Sequence, residues 1–353
     1  MLKTIRKHEK LTELLRAEIR RRKFPDNRFY TAKYLMEHYR VSQATLAKAL
    51  QPLYDAGLIY AVSGKGTFVS ETPPADAVAD TSAVNLFCVF SDTEMFSRES
   101  NPTDWFVLRD IIAGIADAGE RCGWNVHLSP MRADIELFKG MADSPNRAFI
   151  FTCYRRFEQL IEHCIKGNIP YAVYSVHQPV ERNINQLWVD TREAVRKTTA
   201  HLISRGHWRI AFLGDGENSP RHKGYKQALR EAGIPIRGEW SFFTSGKPEE
   251  AAVLSECFLR EQPEVSAVVC SSDLRAMGVV EAARRLGRNI PGFGITGVDN
   301  IGEVFPGLPR LTTVDLMRQR VGAELIRMVQ NAIAAKTVET VEIDTELVVG
   351  ETS

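Results

Sequence analysis

Two groups of residues in this sequence have types and spacings suited to recognition chemistry. The first lies near the front. Ser42-Gln43-Ala44-Thr45 and Lys48 share one stretch, Thr31 and Lys33 precede it, and Lys65-Gly66 sit in a Gly-rich segment behind it. Hydroxyl and ammonium groups bind phosphate oxygens, and a glutamine amide matches the N6/N7 edge of adenine. The second group is dispersed through the back half: Arg221, Ser272, Asp273 and Asp299. A guanidinium fork and carboxylates supply the donors and acceptors that bridge neighbouring sugar hydroxyls. Trp188, Trp105 and Phe106 offer apolar walls for the C–H faces of such a ligand.

The elements that must hold the first group span Val41 to Val69. Ser42 is a good N-cap, because its hydroxyl can accept a free N–H of the first helical turn. Leu46, Leu50 and Leu53 recur at helical spacing and predict one buried stripe. Pro52 predicts a bend or restart near the helix end, and Gly57 a stop. The runs Leu58–Val62 and Thr67–Val69 flank Ser63-Gly64-Lys65-Gly66, the pattern of a hairpin with a Gly-rich tip. Upstream, Leu11, Leu14, Leu15 and Ile19 predict an amphipathic helix ended by Pro25-Asp26-Asn27. Thr31 is the expected cap of a second helix through Leu35, Met36 and Tyr39.

The order of two helices, a recognition helix and a G-K-G-T-F-V wing resembles the GntR-type winged-helix DNA-binding domain over roughly residues 2–70. The resemblance implies DNA contacts from Thr31, Lys33, Ser42, Gln43, Ala44, Thr45, Lys48, Lys65 and Gly66. The sequence departs from the family at three places. The usual L-P-S-E-R is Phe29-Tyr30-Thr31-Ala32-Lys33, and two usual arginines are Gln43 and Ala47. Since arginine reads guanine and glutamine suits adenine, an operator unlike a guanine-rich family site is expected.

The charge distribution agrees with this division. Residues 1–70 hold 14 Lys and Arg against 6 Asp and Glu, a net of +8, and the remainder holds 31 against 38, a net of −7. A basic module on an acidic body suits a phosphate-backbone binder. Solvation of an exposed helix face accounts for part of the Arg20-Arg21-Arg22-Lys23 run but not for the asymmetry. Residues 71–84, polar and Pro- and Ala-bearing, read as a linker.

From residue 85 onward, short apolar runs alternate with amphipathic segments. Strand-like runs at 85–90, 125–128, 148–151, 171–174 and 187–189 are spaced by helical stretches at 107–122, 135–141 and 157–166. The rhythm then repeats through strands at 209–213, 241–243, 267–270 and 294–298. Helices are expected at 193–204, 224–232, 249–261 and 274–286. This is an α/β parallel-sheet pattern, run twice. Ligands of such sheets bind beyond the carboxyl ends of the strands, and Arg221, Ser272, Asp273 and Asp299 follow such ends. Tyr154, Ser175 and Asp92 follow strand ends in the first run and are candidates by position alone.

The two runs resemble the effector domain of LacI-type regulators, which shares the fold of periplasmic sugar-binding proteins. The matching stretches are Trp188-Val189-Asp190, His201-Leu202-Ile203 with Gly206-His207 and Ile210–Gly214, and Arg221 with Gly224-Tyr225 and Ala228-Leu229. Further on come Ser271-Ser272-Asp273 with Ala276 and Gly278, Gly297–Asn300, Leu311–Val314 and the tail Leu347–Ser353. The resemblance implies two lobes: lobe 1 about 85–187 and 315–340, lobe 2 about 190–310 and 341–353. Chain crossings are expected near Val189, Leu311 and Val341. It also implies that Arg221 and Asp299 hold ligand hydroxyl or carboxylate groups. Asp273 reads first as a helix cap and then as a ligand contact; Asp299 has the alternative of a cap behind its strand and Trp105 that of core, and His201 and His207 read as structural.

The chain has 44% hydrophobic and 25% charged residues, as a soluble globular protein does. It lacks an eighteen-residue apolar run and an apolar leader segment, so neither a membrane span nor a secretory signal is expected. The six cysteines form no C-x-x-C pair and read as reduced thiols of a cytoplasmic protein, with no metal. There is no G-x-G-x-x-G, P-loop or G-x-S-x-G, so no cofactor and no enzyme activity are expected. The partners expected are operator DNA, a small sugar-like effector and a second copy of the chain. The function that the two resemblances imply is that of a repressor of carbohydrate-use genes. The alternative is a solute-receptor module whose DNA-binding domain is vestigial.

Overall fold

The computed structural model describes residues 7–21, 24, 27–55, 58–62, 66–70, 83–91, 102–131, 135–176, 178–301, 309–335 and 337–353. The chain forms two compact units, Met1–Ala83 and Val84–Ser353.

In the first unit, helices α1 (Lys7–Arg21), α2 (Ala32–Tyr39) and α3 (Gln43–Asp55) precede an antiparallel hairpin. Its strands β1 (Ile59–Val62) and β2 (Gly66–Val69) pair from Ile59↔Val69 to Val62↔Gly66. The core is Leu11, Leu15, Phe29, Leu35, Leu46, Ala49, Leu53, Leu58 and Ile59. The expected stripe on α3 is present, with Leu46 and Leu53 buried and Leu50 packed at its edge. Leu14 departs from expectation: it is 47% exposed, because the α1 seam is completed by Thr12, whose hydroxyl donates to the Ala49 carbonyl. Pro52 lies inside α3 and the helix runs on to Asp55. Both expected caps form: Thr31 accepts from Tyr34 N–H, and Ser42 from Thr45 N–H. Gly57 and the hairpin tip Ser63-Gly64-Lys65 lie outside the described residues.

The second unit holds two parallel sheets. The first comprises β3 (Asn85–Ser91), β4 (Asn125–Met131), β5 (Arg147–Phe151), β6 (Tyr171–Val176), β7 (Gln186–Val189) and β13 (Thr340–Ile343), in the order β13-β7-β6-β5-β3-β4. The second comprises β8 (Ile210–Gly214), β9 (Ser241–Phe243), β10 (Ala267–Cys270) and β11 (Gly294–Thr296), in the order β11-β10-β8-β9. The strands are near-continuous apolar runs, with β5, β8 and β10 almost wholly buried, as expected where helices cover both faces.

Helices α4 (Pro102–Arg121), α5 (Ile135–Ala142), α6 (Tyr154–Lys166) and α11 (Arg318–Ala335) belong to the first lobe. Helices α7 (Thr191–Ser204), α8 (Pro220–Glu231), α9 (Pro248–Glu261) and α10 (Asp273–Arg285) belong to the second. Close packing sets their positions. A Cβ on Gly224 of α8 would lie 2.1 Å from the Arg192 carbonyl of α7, so only glycine lets α8 approach. Helix α6 starts at Tyr154, three residues before the expected Phe157, whose φ of −114° kinks its first turn.

A third, two-stranded antiparallel piece joins β12 (Thr313–Asp315) to β14 (Glu346–Val348) where the chain passes between lobes. One boundary needs correction. The sequence pattern places residues from 341 onward in lobe 2, but β13 pairs in parallel with β7 and extends the first sheet. The last crossing therefore follows Ile343. Beyond β14 the tail joins the second sheet: Ile295 N–H donates to the Thr352 carbonyl at 2.7 Å.

Candidate functional site

Parallel strands bring their carboxyl ends to one side of each sheet, and the two sets of ends border a cleft of about 900 Å³. First-lobe walls come from Thr152, Cys153 and Tyr154 beyond β5, and from Tyr174 and Ser175 on β6. Asn218, Pro220 and Lys223 form the second-lobe wall. Trp188 lines a smaller recess with Asp190, Arg192, Gln178, Pro179, Pro220 and Lys223, the last two residue pairs being shared with the main cleft.

An ion cluster reaches this cleft through Tyr174. Arg221 stands in the first turn of α8, and its Nη2 lies 3.4 Å from Asp299 Oδ1. Its Nη1 donates to the Ser271 carbonyl at the end of β10. Arg318, the first residue of α11, places Nη2 3.0 Å from the same Asp299 oxygen, and its Nη1 donates to the Asp299 carbonyl. Asp110 of α4 lies 3.9 Å from Arg318. The Asp299 side chain is fully buried, and those of Arg318 and Arg221 are 4% and 12% exposed. Sequence reasoning found Arg221 and Asp299 and missed Arg318 and Asp110.

The cluster is incompletely satisfied. Asp299 Oδ2, Arg221 Nε, Arg318 Nε, Tyr174 Oη, Ser175 Oγ, Ser271 Oγ and Thr152 Oγ1 are buried without a hydrogen-bond partner. Leaving one such group unmade costs about 1–3 kcal/mol, more when it is charged. Burial pushes the Tyr174 phenol up to about 12, and its neighbours are Arg318, Asp299 and Arg221. The backbone is also held in the left-handed region at Asp299 (φ +116°), Asn300 (+46°) and Met317 (+54°). Such conformations cost about 1–3 kcal/mol each and persist where the surroundings impose them, commonly at ligand sites.

The other expected residues divide. Ser272 caps α10, accepting from Arg275 N–H, and also accepts from the Arg275 guanidinium. The cap role expected of Asp273 thus passes to its neighbour. Asp273 is instead turned inward, with Oδ2 accepting from Ile301 N–H and Oδ1 from the Thr313 hydroxyl. Burial first, then the Asp299 charge, pushes its carboxyl up to about 7. Tyr154 lines the cleft, but its hydroxyl donates to Glu158 and accepts from Arg182. Asp92 and the side chains of Trp105 and Phe106 lie outside the described residues. His201 bonds Ser353 and His207 bonds Ser266, and neither partner belongs to the ion cluster. Among the described residues no three His, Cys, Asp or Glu side chains gather as a metal site, and no helix is long and apolar enough to cross a membrane.

On the first unit, Gln43, Ala44, Ala47 and Lys48 are exposed on one face of α3, and Thr31 and Lys33 are exposed at the start of α2. Gly66 opens β2 with φ +113°, as a tight hairpin turn requires. Lys65 is outside the described residues.

Residues 199–353 match the periplasmic binding protein-like domain family. The body of this chain has that two-lobed fold. It superposes on a LacI-family regulatory protein from Chloroflexus aggregans with TM-score 0.64 and 20% identity, covering 76% of this chain and 97% of that one. It also superposes on a LacI-family transcriptional regulator from Enterococcus faecium with bound ribose, with TM-score 0.60 and 18% identity, covering 76% and 98%. In sequence, an HTH-type transcriptional repressor PurR of Mannheimia succiniciproducens is 31% identical over 156 residues, 42% of this chain and 47% of that protein. The chain thus spans about half the length of the curated relatives it matches. In this binding-protein-like body the cleft lies between the lobes, and Arg318 comes from the first-lobe side while Arg221 and Asp299 come from the second.

Proposed function

We propose that this protein is a DNA-binding transcriptional regulator, a repressor of carbohydrate-use genes, controlled by a sugar-like effector held between the two lobes. The observation that carries the reading is the set of buried polar atoms without partners at the carboxyl ends of β6, β8, β10 and β11. A polyhydroxylated ligand supplies donors and acceptors to such a set, and Arg221, Asp299, Tyr174 and Ser175 are the residues assigned to it. The solved neighbour with bound ribose and the repressor names of the sequence relatives support the same class.

The front unit is assigned as a GntR-type winged helix, supported by its three helices, its hairpin and its net charge of +8. It reads DNA through Gln43, Ala44, Thr45 and Lys48, with Thr31, Lys33, Lys65 and Gly66 placing the backbone. The protein works in the cytoplasm as a homodimer on a two-fold operator and has no enzyme activity. Effector binding changes the relative stability of two lobe arrangements, a coupling of about 1–3 kcal/mol. One observation favours a second reading, a receptor with a vestigial DNA-binding domain: α3 carries a single lysine and no arginine.

Fluorescence anisotropy with labelled DNA from upstream of the gene, over a salt series, separates the two. The regulator reading expects binding that falls steeply with salt. It also expects a second-site response, in which a sugar that raises the melting temperature changes DNA affinity. Salt-independent or absent binding favours the vestigial reading.

A further inference from the structure

We propose that the effector carries an anionic group, a carboxylate or phosphate ester on a polyhydroxylated skeleton, and that Arg318 holds it together with Arg221. The inference rests on the cleft being an effector site, and it adds a charge to the ligand and a residue to the site.

Three guanidinium groups converge beyond β8, β10 and β11: Arg221, Arg275 and Arg318. Their exposures are 12% for the Arg221 side chain, 3% for Arg275 and 4% for Arg318. Arg275 is satisfied by neutral acceptors, the Thr244 carbonyl and hydroxyl and the Ser272 hydroxyl. The carboxylates facing the other two are Asp299, fully buried and shared by both, and Asp110, 25% exposed and 3.9 Å from Arg318. Asp273 is buried beside them and bonded by neutral donors, Ile301 N–H and the Thr313 hydroxyl; counted as a carboxylate with Asp299, it makes two buried acids against three buried guanidinium groups. Buried positive charge therefore exceeds buried negative charge, and a desolvated cation is costly until a counter-charge joins it.

Hydrogen-bond types point the same way. Arg221 Nε and Arg318 Nε are without partners and can only donate, whereas Asp299 Oδ2 is the one unpartnered carboxylate oxygen among these groups. A sugar hydroxyl brings one donor with its acceptor sites. A carboxylate or phosphate brings acceptors alone and takes two guanidinium forks at once. The hydroxyl-bearing remainder then meets Tyr174 Oη, Ser175 Oγ and Thr152 Oγ1, which both donate and accept.

Arg318 begins α11, an 18-residue helix with no acidic residue in its first turn, so the helix dipole favours an anion there as well. Arg221 belongs to α8 of the other lobe. An anion between them touches both lobes and favours the arrangement in which they are close.

The test uses the full-length chain and matched sets: ribose, ribonate and ribose 5-phosphate; glucose, gluconate and glucose 6-phosphate; arabinose, arabinonate and arabinose 5-phosphate. Calorimetry gives affinities, and melting temperature is also read in inorganic phosphate against chloride at equal ionic strength. The expected results are a melting temperature raised by phosphate and, in at least one set, a charged member bound about 10-fold or more tighter than its neutral parent. The aldonate and phosphate arms tell which anion is used. Arg318→Gln should remove that preference and the phosphate effect, and Arg318→Lys should keep part of both. If Arg318→Gln fails to fold, the paired Asp299→Asn/Arg318→Gln variant removes both charges together and is read by the same ratio. A neutral sugar bound as tightly as its charged counterparts, with the ratio unmoved by Arg318→Gln, overturns this inference and leaves the effector reading standing. Silence of every set together with no phosphate effect overturns both.

Discussion

The exposed face of α3 and the buried ions beneath the cleft present recognition chemistry in opposite ways. On α3, Gln43, Ala44, Ala47 and Lys48 stand in water, and the helix is held by Leu46, Ala49 and Leu53 on its other side. Beneath the cleft, Asp299 is wholly out of water and is held by Arg221 and Arg318 from two lobes. A side chain on the first surface is separable from the fold, so its identity is free to follow a DNA sequence. A side chain in the second is part of the fold, because removing it strands its partners. The comparison teaches that specificity on α3 should change without loss of stability, whereas the cleft cannot change one charge alone.

The largest effect expected is therefore at Asp299. Asp299→Ala leaves two guanidinium groups buried without their shared carboxylate, and breaking a buried pair in this way costs about 3–5 kcal/mol. The five tryptophans, at 105, 124, 188, 208 and 240, all lie in the body, so their fluorescence in urea follows the body and not the winged unit. A midpoint unchanged in that experiment would break the comparison at its root.

Next in size is the opposite case. Gln43→Ala should leave the unfolding midpoint in place, within about 0.5 kcal/mol for an exposed site. It should weaken binding to the preferred operator by about 1–3 kcal/mol and relax preference at one position per half-site. Selection from a randomised operator library shows this directly. An unchanged sequence profile would mean that α3 does not read bases through Gln43. Lys48→Ala should instead lower affinity on all sequences alike and reduce the salt slope by about one.

How far these two regions could be read from sequence follows from the same contrast. The winged unit is local: its caps at Thr31 and Ser42 and its α3 stripe are set by neighbours a few residues away, and periodicity finds them. The ion cluster is assembled from Arg221, Asp299 and Arg318, on separate elements, and pattern alone does not say that α11 starts under β11. One signal was available. Arg318 and Arg320 sit in a helical first turn that holds no acid, where the dipole disfavours cations. A cation so placed needs a partner from elsewhere. Likewise, β13 is a short edge strand, and its alternation cannot name the sheet it joins. Ser272 and Asp273 both have capping side chains, and only the burial of Asp273 against Ile301 and Thr313 decides between them.

Asp273 gives the next prediction, of intermediate size. Its carboxyl is pushed up to about 7 from the ordinary 3.8, by burial and by Asp299. Between about pH 4 and about pH 7 the native state keeps a proton that the unfolded chain has released. Stability of the body therefore falls as pH rises through that window, by at most about 1.4 kcal/mol per pH unit from this group. Asp273→Asn keeps the shape and removes the titration. The difference between the two stability curves, followed by tryptophan fluorescence, should slope in that window and level off above it. Curves that run parallel from pH 4 to 8 would show that Asp273 is charged throughout.

The smallest effect is expected at Leu14 of α1, set against its buried neighbour Leu15. Leu14 and Leu15 are adjacent and identical in type, yet Leu15 is fully buried and Leu14 is 47% exposed. Leu15→Ala should cost about 2–5 kcal/mol through lost contacts and a cavity. Leu14→Ala should stay within about 0.5 kcal/mol, since most of its surface is already in water. Because the winged unit contains no tryptophan, the measurement is tyrosine emission or amide exchange in residues 7–70, with body fluorescence as the internal control. A large loss at Leu14 would mean that this face of α1 is covered by something that packing within the unit does not supply. A second copy of the chain would then be the surface to map first, by crosslinking through a cysteine placed at position 14.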